Sequence, residues 1–245
     1  MNSTTRTIVP LLAVGALALS ACNVDINFDA ERGSGVAETS SFTFDEPGLT
    51  ALEVSNAFEV EVRVADGPAT VEVTVDDNFT DDLDVRTDDG AVLIGLDNGS
   101  YWHDVTPTAV VSVPSLELLD LSGASDAEVD GTIRTPSFTL RLSGASEATM
   151  TVDTDEMVID AGGASRSMVD GRADDLRIDA SGASSVLLGE IDAVTANVDA
   201  SGASDVVIGD ADDIDGDISG ASILVAPADA IDQVETSGVS NIEEI

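Results

Sequence analysis

The chain has 245 residues, enough for one large domain or two small ones, and sets 48 Asp and Glu against 9 Arg with no Lys, a formal net charge of −39. So negative a surface repels phosphate backbones, which excludes nucleic acid as a partner, and it meets anionic lipid only through a covalent anchor or bridging cations. Aromatic residues make up 3% of the chain, yet 43% is hydrophobic and the Val, Ile and Leu residues alternate with polar ones, which favours a folded β protein with an acidic exterior over disorder.

The amino terminus reads as an export signal. Residues 1–7 carry one positive charge, Arg6, and residues 8–19 are apolar apart from Pro10 and Gly15. That run is too short to span a hydrocarbon core of ~30 Å, and it ends in Leu19-Ser20-Ala21-Cys22. The tetrapeptide closely resembles the bacterial lipoprotein box, in which the Cys is diacylated and becomes the first residue of the mature protein. Cys22 is also the only cysteine, so no intramolecular disulfide can form after export. Two acyl chains anchor stably, since each buried CH₂ contributes about 0.8 kcal/mol. Residues 23–41 are polar, include Gly33-Ser34-Gly35, and are expected to form a flexible tether.

Beyond the tether, period-two alternation begins at Leu52 and Val54, crosses Ser55-Asn56-Ala57-Phe58, and resumes at Val60 and Val62. Further strand-like runs fall at residues 70–75, 83–86, 91–96 and 109–113. From there a four-residue turn recurs every 18–21 residues. Its copies are Ser122-Gly123-Ala124-Ser125, Ser143-Gly144-Ala145-Ser146, Gly162-Gly163-Ala164-Ser165, Ser181-Gly182-Ala183-Ser184, Ser201-Gly202-Ala203-Ser204, Ser219-Gly220-Ala221-Ser222 and Ser237-Gly238-Val239-Ser240. Alternating apolar residues flank each copy, as with Leu140 and Leu142 before the second and Ala148 and Met150 after it.

A fixed period of this length with strand alternation and no 3.6-residue pattern predicts an all-β solenoid, a parallel β-helix of about 18–21 residues per coil. Each coil would hold two or three short strands, and seven coils at about 4.8 Å each would form a rod about 34 Å long. In the turns, Gly123, Gly144, Gly163, Gly182, Gly202, Gly220 and Gly238 are structural: glycine takes positive φ at a corner without a Cβ clash. Ala lets coils stack, and the Ser hydroxyls are expected to donate along the stack to corner carbonyls. A serine-lined stripe that grips a polymer is the functional alternative. Asn56 occupies the glycine position of the degenerate early copy, and Asn is among the few other residues that tolerate the left-handed region. Residues 42–245 therefore read as one continuous domain with an irregular first third; a split into two domains near residues 98–107 is the other possibility.

The β opening at residues 49–96, Val113-Pro114-Ser115-Leu116 and the tandem Ser-Gly-Ala-Ser coils together resemble the bacterial head GIN domain family, an adhesin-like family linked by name to auto-transporters. The resemblance covers residues 42–245. It implies a right-handed β-helix on an exported protein, often a lipoprotein, and it brings no catalytic residues with it. Nothing in the chain resembles the membrane barrel of an auto-transporter.

Chemistry-bearing residues are sparse. The only His, Tyr and Trp adjoin as Tyr101-Trp102-His103, a cluster that in a loop would stack on a sugar or partner, or else cover one end of the coils. No Ser lies in a nucleophile elbow, and no second His or free Cys completes a metal site. Acidic clusters at Asp76-Asp77, Asp81-Asp82, Asp88-Asp89 and between Asp210 and Asp217 lack the spacing of known calcium loops, so they predict diffuse collection of Ca²⁺ or other cations and no defined cofactor. Three residues past the last Ser of each turn, parity points the side chain outward unless a corner intervenes. That column runs Glu128, Thr149, Met168, Leu187, Val207, Val225, from polar to apolar. Exposed contiguous apolar surface marks partner sites. The sequence thus points to a non-enzymatic, lipid-anchored envelope protein, facing outward or into a periplasm, whose scaffold binds a protein or glycan through Met168, Leu187, Val207, Val225 or Tyr101–His103. A glycan-active enzyme and a cation-collecting surface protein are the alternatives, and the oligomeric state is open.

Overall fold

In the computed structural model, residues 31–97, 102–103 and 105–245 are described. Cys22, the signal segment, Tyr101 and residues 23–30 of the tether lie outside the described residues.

The regular part of the rod comprises β10 (Leu118–Leu121), β11 (Asp126–Leu142), β12 (Glu147–Ala161), β13 (Arg166–Ala180), β14 (Ser185–Ala200), β15 (Asp205–Ile218), β16 (Ile223–Ala226), β17 (Ile231–Thr236) and β18 (Asn241–Glu244). All pair in parallel with the strand one coil away. From Asp126 the register runs through Glu147, Arg166, Ser185, Asp205 and Ile223 to Asn241, steps of 21, 19, 19, 20, 18 and 18 residues. The chain is a parallel β-solenoid of about seven turns.

The coil strands are longer than the short runs expected from sequence, because the ladder continues around two of the three corners. These corners show as adjacent outward residues that break the alternation: Gly189-Glu190 and Val194-Thr195 in β14, and Asp155-Glu156 in β12. The inward residues form stacked apolar columns. Phe138, Met157, Leu176, Ala196 and Ile214 make one; Leu140, Ile159, Ile178 and Val198 make the next. A coil leaves no room for a second layer, so these stacked columns make up the core of the regular coils.

The third corner is the repeated turn. Gly182 has φ +80, and a Cβ built on it would lie 2.4 Å from the Gly163 carbonyl oxygen. Only glycine allows that approach, and the approach is what lets the ladder pass through the corner. Thus Ala183 N–H donates to Gly163 O at 2.7 Å, Ala203 N–H to Gly182 O at 2.7 Å, and Ala221 N–H to Gly202 O at 2.7 Å. The serines act partly as expected, Ser122 Oγ donating to Val54 O at 3.4 Å, Ser219 Oγ to Ala200 O at 3.2 Å and Ser240 Oγ to Ile218 O at 2.9 Å, each a carbonyl of the neighbouring coil. The last Ser of each copy from Ser125 to Ser222 is buried. Where it has a partner it mostly closes its own turn, Ser146 Oγ donating to Ser143 O at 2.9 Å and Ser204 Oγ to Ser201 O at 2.9 Å. The buried hydroxyls also bond along the stack, as between Ser184 and Ser204 Oγ at 3.3 Å. Burial also removes these hydroxyls from any polymer-gripping stripe.

The first third contains β1 (Glu31–Arg32), β2 (Ala37–Phe44), β3 (Ala51–Val54), β4 (Glu59–Val64), β5 (Ala69–Asp76), a 3₁₀ turn (Asp77–Asp82), β6 (Leu83–Asp88), β7 (Ala91–Leu96), β8 (Trp102–His103) and β9 (Thr108–Val113). Here chain order and stacking order part company. β3 and β4 stack under β10 and β11, while the later β7 and β9 stack under β3 and β4. Antiparallel strands then close this end: β6 on β7, β5 on β9 and β2 on β5. Strands on both sides of residues 98–107 share one sheet.

Two local expectations are corrected. Residues 37–41 of the predicted tether belong to β2, whose partners Val71, Val73 and Val75 supply the apolar residues that its own polar sequence lacks. Residues 102–103 form the short strand β8, parallel to β1, so they are not loop; a two-residue pairing is too brief to leave a periodic signal. At the degenerate turn Asn56 takes φ 71 as expected, but Ala57 also adopts a left-handed φ of 61, and Phe58 fills the place of the buried serine.

Candidate functional site

Each coil presents three outward surfaces, and the register turns sequence-distant residues into columns about 4.8 Å apart along the rod. The surface after the repeated turn carries Glu72, Val110, Glu61, Glu128, Thr149, Met168, Leu187, Val207, Val225 and Glu243 in unbroken register. Parity places Met168 outward with 40% exposure, and Leu187, Val207 and Val225 are outward and half-buried against their neighbours. No corner turns them in, because the next one falls two residues later at Gly189 and Gly209. Ile223 sits half-buried in the adjacent outward column, where its ladder partners are Asp205 and Asn241. Among the described residues the main strand-to-strand packing is between ladder neighbours, and no second layer of strands covers this surface.

Towards the other end the same surface is acidic. A groove of about 440 Å³ is lined by Glu59, Glu61, Asp126, Glu128 and Asp130 together with Val60 and Val110. Arg63 pairs with Glu61 and is the local counter-charge. One continuous face is therefore anionic over the first coils and apolar over the four coils from Met168 to Val225, with Glu243 one coil beyond.

The surface before the repeated turn carries a second column: Asp120, Arg141, Asp160, Asp179, Asp199, Asp217 and Glu235. Arg141 Nε lies 3.6 Å from Asp160, and Arg177 reaches Asp199 at 3.6 Å from the neighbouring column. These exposed pairs offset only part of the repulsion. Burial pushes the Asp120 carboxyl above its ordinary value; Arg141 opposes this and Asp160 adds to it. At the last coils Asp213, Asp215 and Asp232 bring carboxylate oxygens within 4.8 Å of one another. The Asp210–Asp217 cluster was visible in sequence, but Asp232 joins it only because β17 stacks on β15. No signal in the linear sequence marks that meeting.

The aromatic cluster is not assembled with this face by any described side chain. The backbone of Trp102 and His103 pairs with Glu31 and Arg32, and Tyr101 lies outside the described residues. The turn glycines Gly123, Gly144, Gly163, Gly182, Gly202, Gly220 and Gly238 all have positive φ and stack at one corner.

A family model described as "Putative auto-transporter adhesin, head GIN domain" matches residues 48–226, from just before the buried Leu49 to the end of β16. The chain belongs to the head GIN domain family. Among solved structures, "a putative adhesin" from Bacteroides fragilis superposes with a TM-score of 0.79 at 15% identity, covering 88% of this chain and 100% of that one. A "Putative lipid binding protein" from Parabacteroides distasonis gives 0.69 at 13% identity, covering 88% and 99%. A second P. distasonis protein, "putative adhesin", gives 0.64 at 17% identity over 89% and 100%. At these identities the likeness is one of fold. No curated protein matches the chain. The adhesin-like family places this head GIN protein among cell-surface or exported proteins, and among the described residues no helix is long and apolar enough to cross a membrane.

Proposed function

We propose that this head GIN protein is an exported, lipid-anchored, non-enzymatic scaffold that attaches a protein or glycan to the cell envelope through the face bearing Met168, Leu187, Val207 and Val225. The observation that carries this reading is the in-register apolar column on a sheet surface that no other described strand covers, on an otherwise acidic rod. Outward apolar side chains repeated over four coils, Met168 exposed and the other three partly so, cost solubility without adding to the core, and such surface is kept where a partner covers it. The lipoprotein box ending at Cys22 supports the anchor, and the family description supports adhesion over catalysis.

Two measurements test it. Cys22→Ser should move the protein from the membrane fraction to the soluble fraction of its own cells. Beads coated with mature protein should adhere to envelope material, and L187S/V207S should lower retention about tenfold while leaving the melting temperature nearly unchanged, since both side chains face outward. Equal retention of wild type and L187S/V207S refutes attachment through this face.

A further inference from the structure

We infer that the occupant of this face is a cationic amphipathic helix, with aliphatic side chains in one half and Lys or Arg in the other, lying along the rod axis. The inference rests on the attachment reading above and names the partner's chemistry.

Charge complementarity carries the argument. The face is divided along its length. Met168, Leu187, Val207 and Val225 occupy four successive coils, with Ile223 beside them and Glu243 one coil beyond Val225; in the other direction Thr149 follows Met168, then Glu128, Glu61 and Glu72 share the column with Val110. Glu59, Asp126 and Asp130 widen the acidic end into the groove of about 440 Å³. The flanking outward column adds Glu147 and Asp205, against which stands Arg166. Arg63 neutralises part of Glu61. The local balance remains strongly negative, within a chain of net charge −39. A second copy of this chain would bring like charge to like charge, and an anionic partner would meet the same repulsion. A purely apolar partner would leave the groove carboxylates facing nothing.

Spacing favours a helix over an extended strand. A helix lying along the rod returns a side chain to the same line every ~5.4 Å, close to the coil repeat of ~4.8 Å, whereas alternate residues of a strand recur at ~6.7 Å. From Val225 to Met168 is three coil steps, and from Met168 to Glu61 three more, or about 29 Å in all, the length of roughly 19 helical residues. Such a helix would set one aliphatic residue per turn between the apolar knobs and then place its basic turns over the groove.

The test uses mature protein, residues 23–245, and a fluorescein-labelled synthetic 19-residue peptide with four Leu at helical spacing in one half and four Lys on the same face of the other. Anisotropy titrations are run at about 0.05 and 0.2 M NaCl. The peptide should bind, and a scrambled peptide of identical composition should bind at least about tenfold more weakly. L187S/V207S should weaken binding about tenfold at both salt concentrations. E61Q/E128Q should weaken it mainly at the lower salt, because screening has already removed that attraction at the higher. D160N/D179N, which removes the same charge from a different face, should change affinity less than twofold. Circular dichroism melts confirm that each variant is folded.

Equal binding of designed and scrambled peptides, or equal losses from E61Q/E128Q and D160N/D179N, overturns the inference in favour of unspecific attraction. Binding to phosphatidylcholine vesicles with no binding of the peptide overturns it in favour of a lipid surface. Self-association that L187S/V207S abolishes overturns it in favour of a second copy. The attachment reading fails separately: if L187S/V207S leaves bead retention intact yet abolishes peptide binding, the peptide site stands and that reading falls. Retention lost without any peptide affinity has the converse meaning.

Discussion

Replacing Gly182 by Ala tests why the repeated turn has its composition. Gly182 has φ +80, where an L residue costs about 1–2 kcal/mol. The new Cβ would lie 2.4 Å from Gly163 O, with Gly163 N and C at 3.1 and 3.2 Å, all backbone atoms that no rotamer change can move aside. Restoring an ordinary carbon–oxygen contact requires the two coils to part by about 1 Å at this corner, a gap that forfeits a quarter to a half of each affected dispersion contact. It also stretches the 2.7 Å bond from Ala183 N–H to Gly163 O, a loss of about 1 kcal/mol. The sum is on the order of 3–4 kcal/mol, a large share of the 5–15 kcal/mol typical of a whole domain. Because each coil touches only its neighbours, the damage should concentrate at the seam between β13 and β14. Urea denaturation followed by circular dichroism gives the magnitude, and amide hydrogen exchange on either side of residue 182 gives the location. Gly189→Ala is the control: nothing lies within 4 Å of a Cβ there and its φ is not left-handed, so it should change stability by less than about 1 kcal/mol. If the two substitutions cost the same, close backbone approach is not the reason for the glycine.

Two further outcomes follow from buried or crowded polar groups. Ser167 is fully buried in line with Ala148 and Val186, and its hydroxyl has no partner; Ser167→Ala should stabilise the protein by about 1 kcal/mol or more in the same denaturation assay, and a loss of stability would show that the hydroxyl is satisfied. Asp120 has a carboxyl raised above its value of 3.8 in the unfolded chain, so its protonation favours the folded state below that pH and the benefit is lost as pH rises through the folded value. Asp120→Asn should therefore melt higher than wild type at pH 7, with the gap closing below about pH 4; a gap independent of pH would assign the effect to packing.

Much of the rod was legible because the information is local and periodic. Positive φ at the turn glycines, the inward alternation of Leu140, Leu142, Ala148 and Met150, and the outward parity of Met168, Leu187 and Val207 each depend on neighbours within a few residues, and a period of two states them directly. β2 was missed for the opposite reason. Its sequence, AETSSFTF, is largely polar and takes its structure from β5, whose paired residues lie 25 to 39 positions further along the chain.

By itself, then, the sequence determined a coil, its length, its corners and which side chains face out, since those follow from backbone geometry repeated at a fixed step. Only the tertiary structure decided how the coils are ordered and what stands beside what. The early segment stacks out of chain order, with β7 and β9 beneath β3 and β4, and that inversion carries Val110 between Glu72 and Glu61. Stacking likewise brings Asp232 to Asp213 and Asp215, and it joins an acidic groove to an apolar column on one surface. Those juxtapositions are set by hydrogen-bond register between coils, and register is a property of pairs of strands that no single stretch of sequence contains.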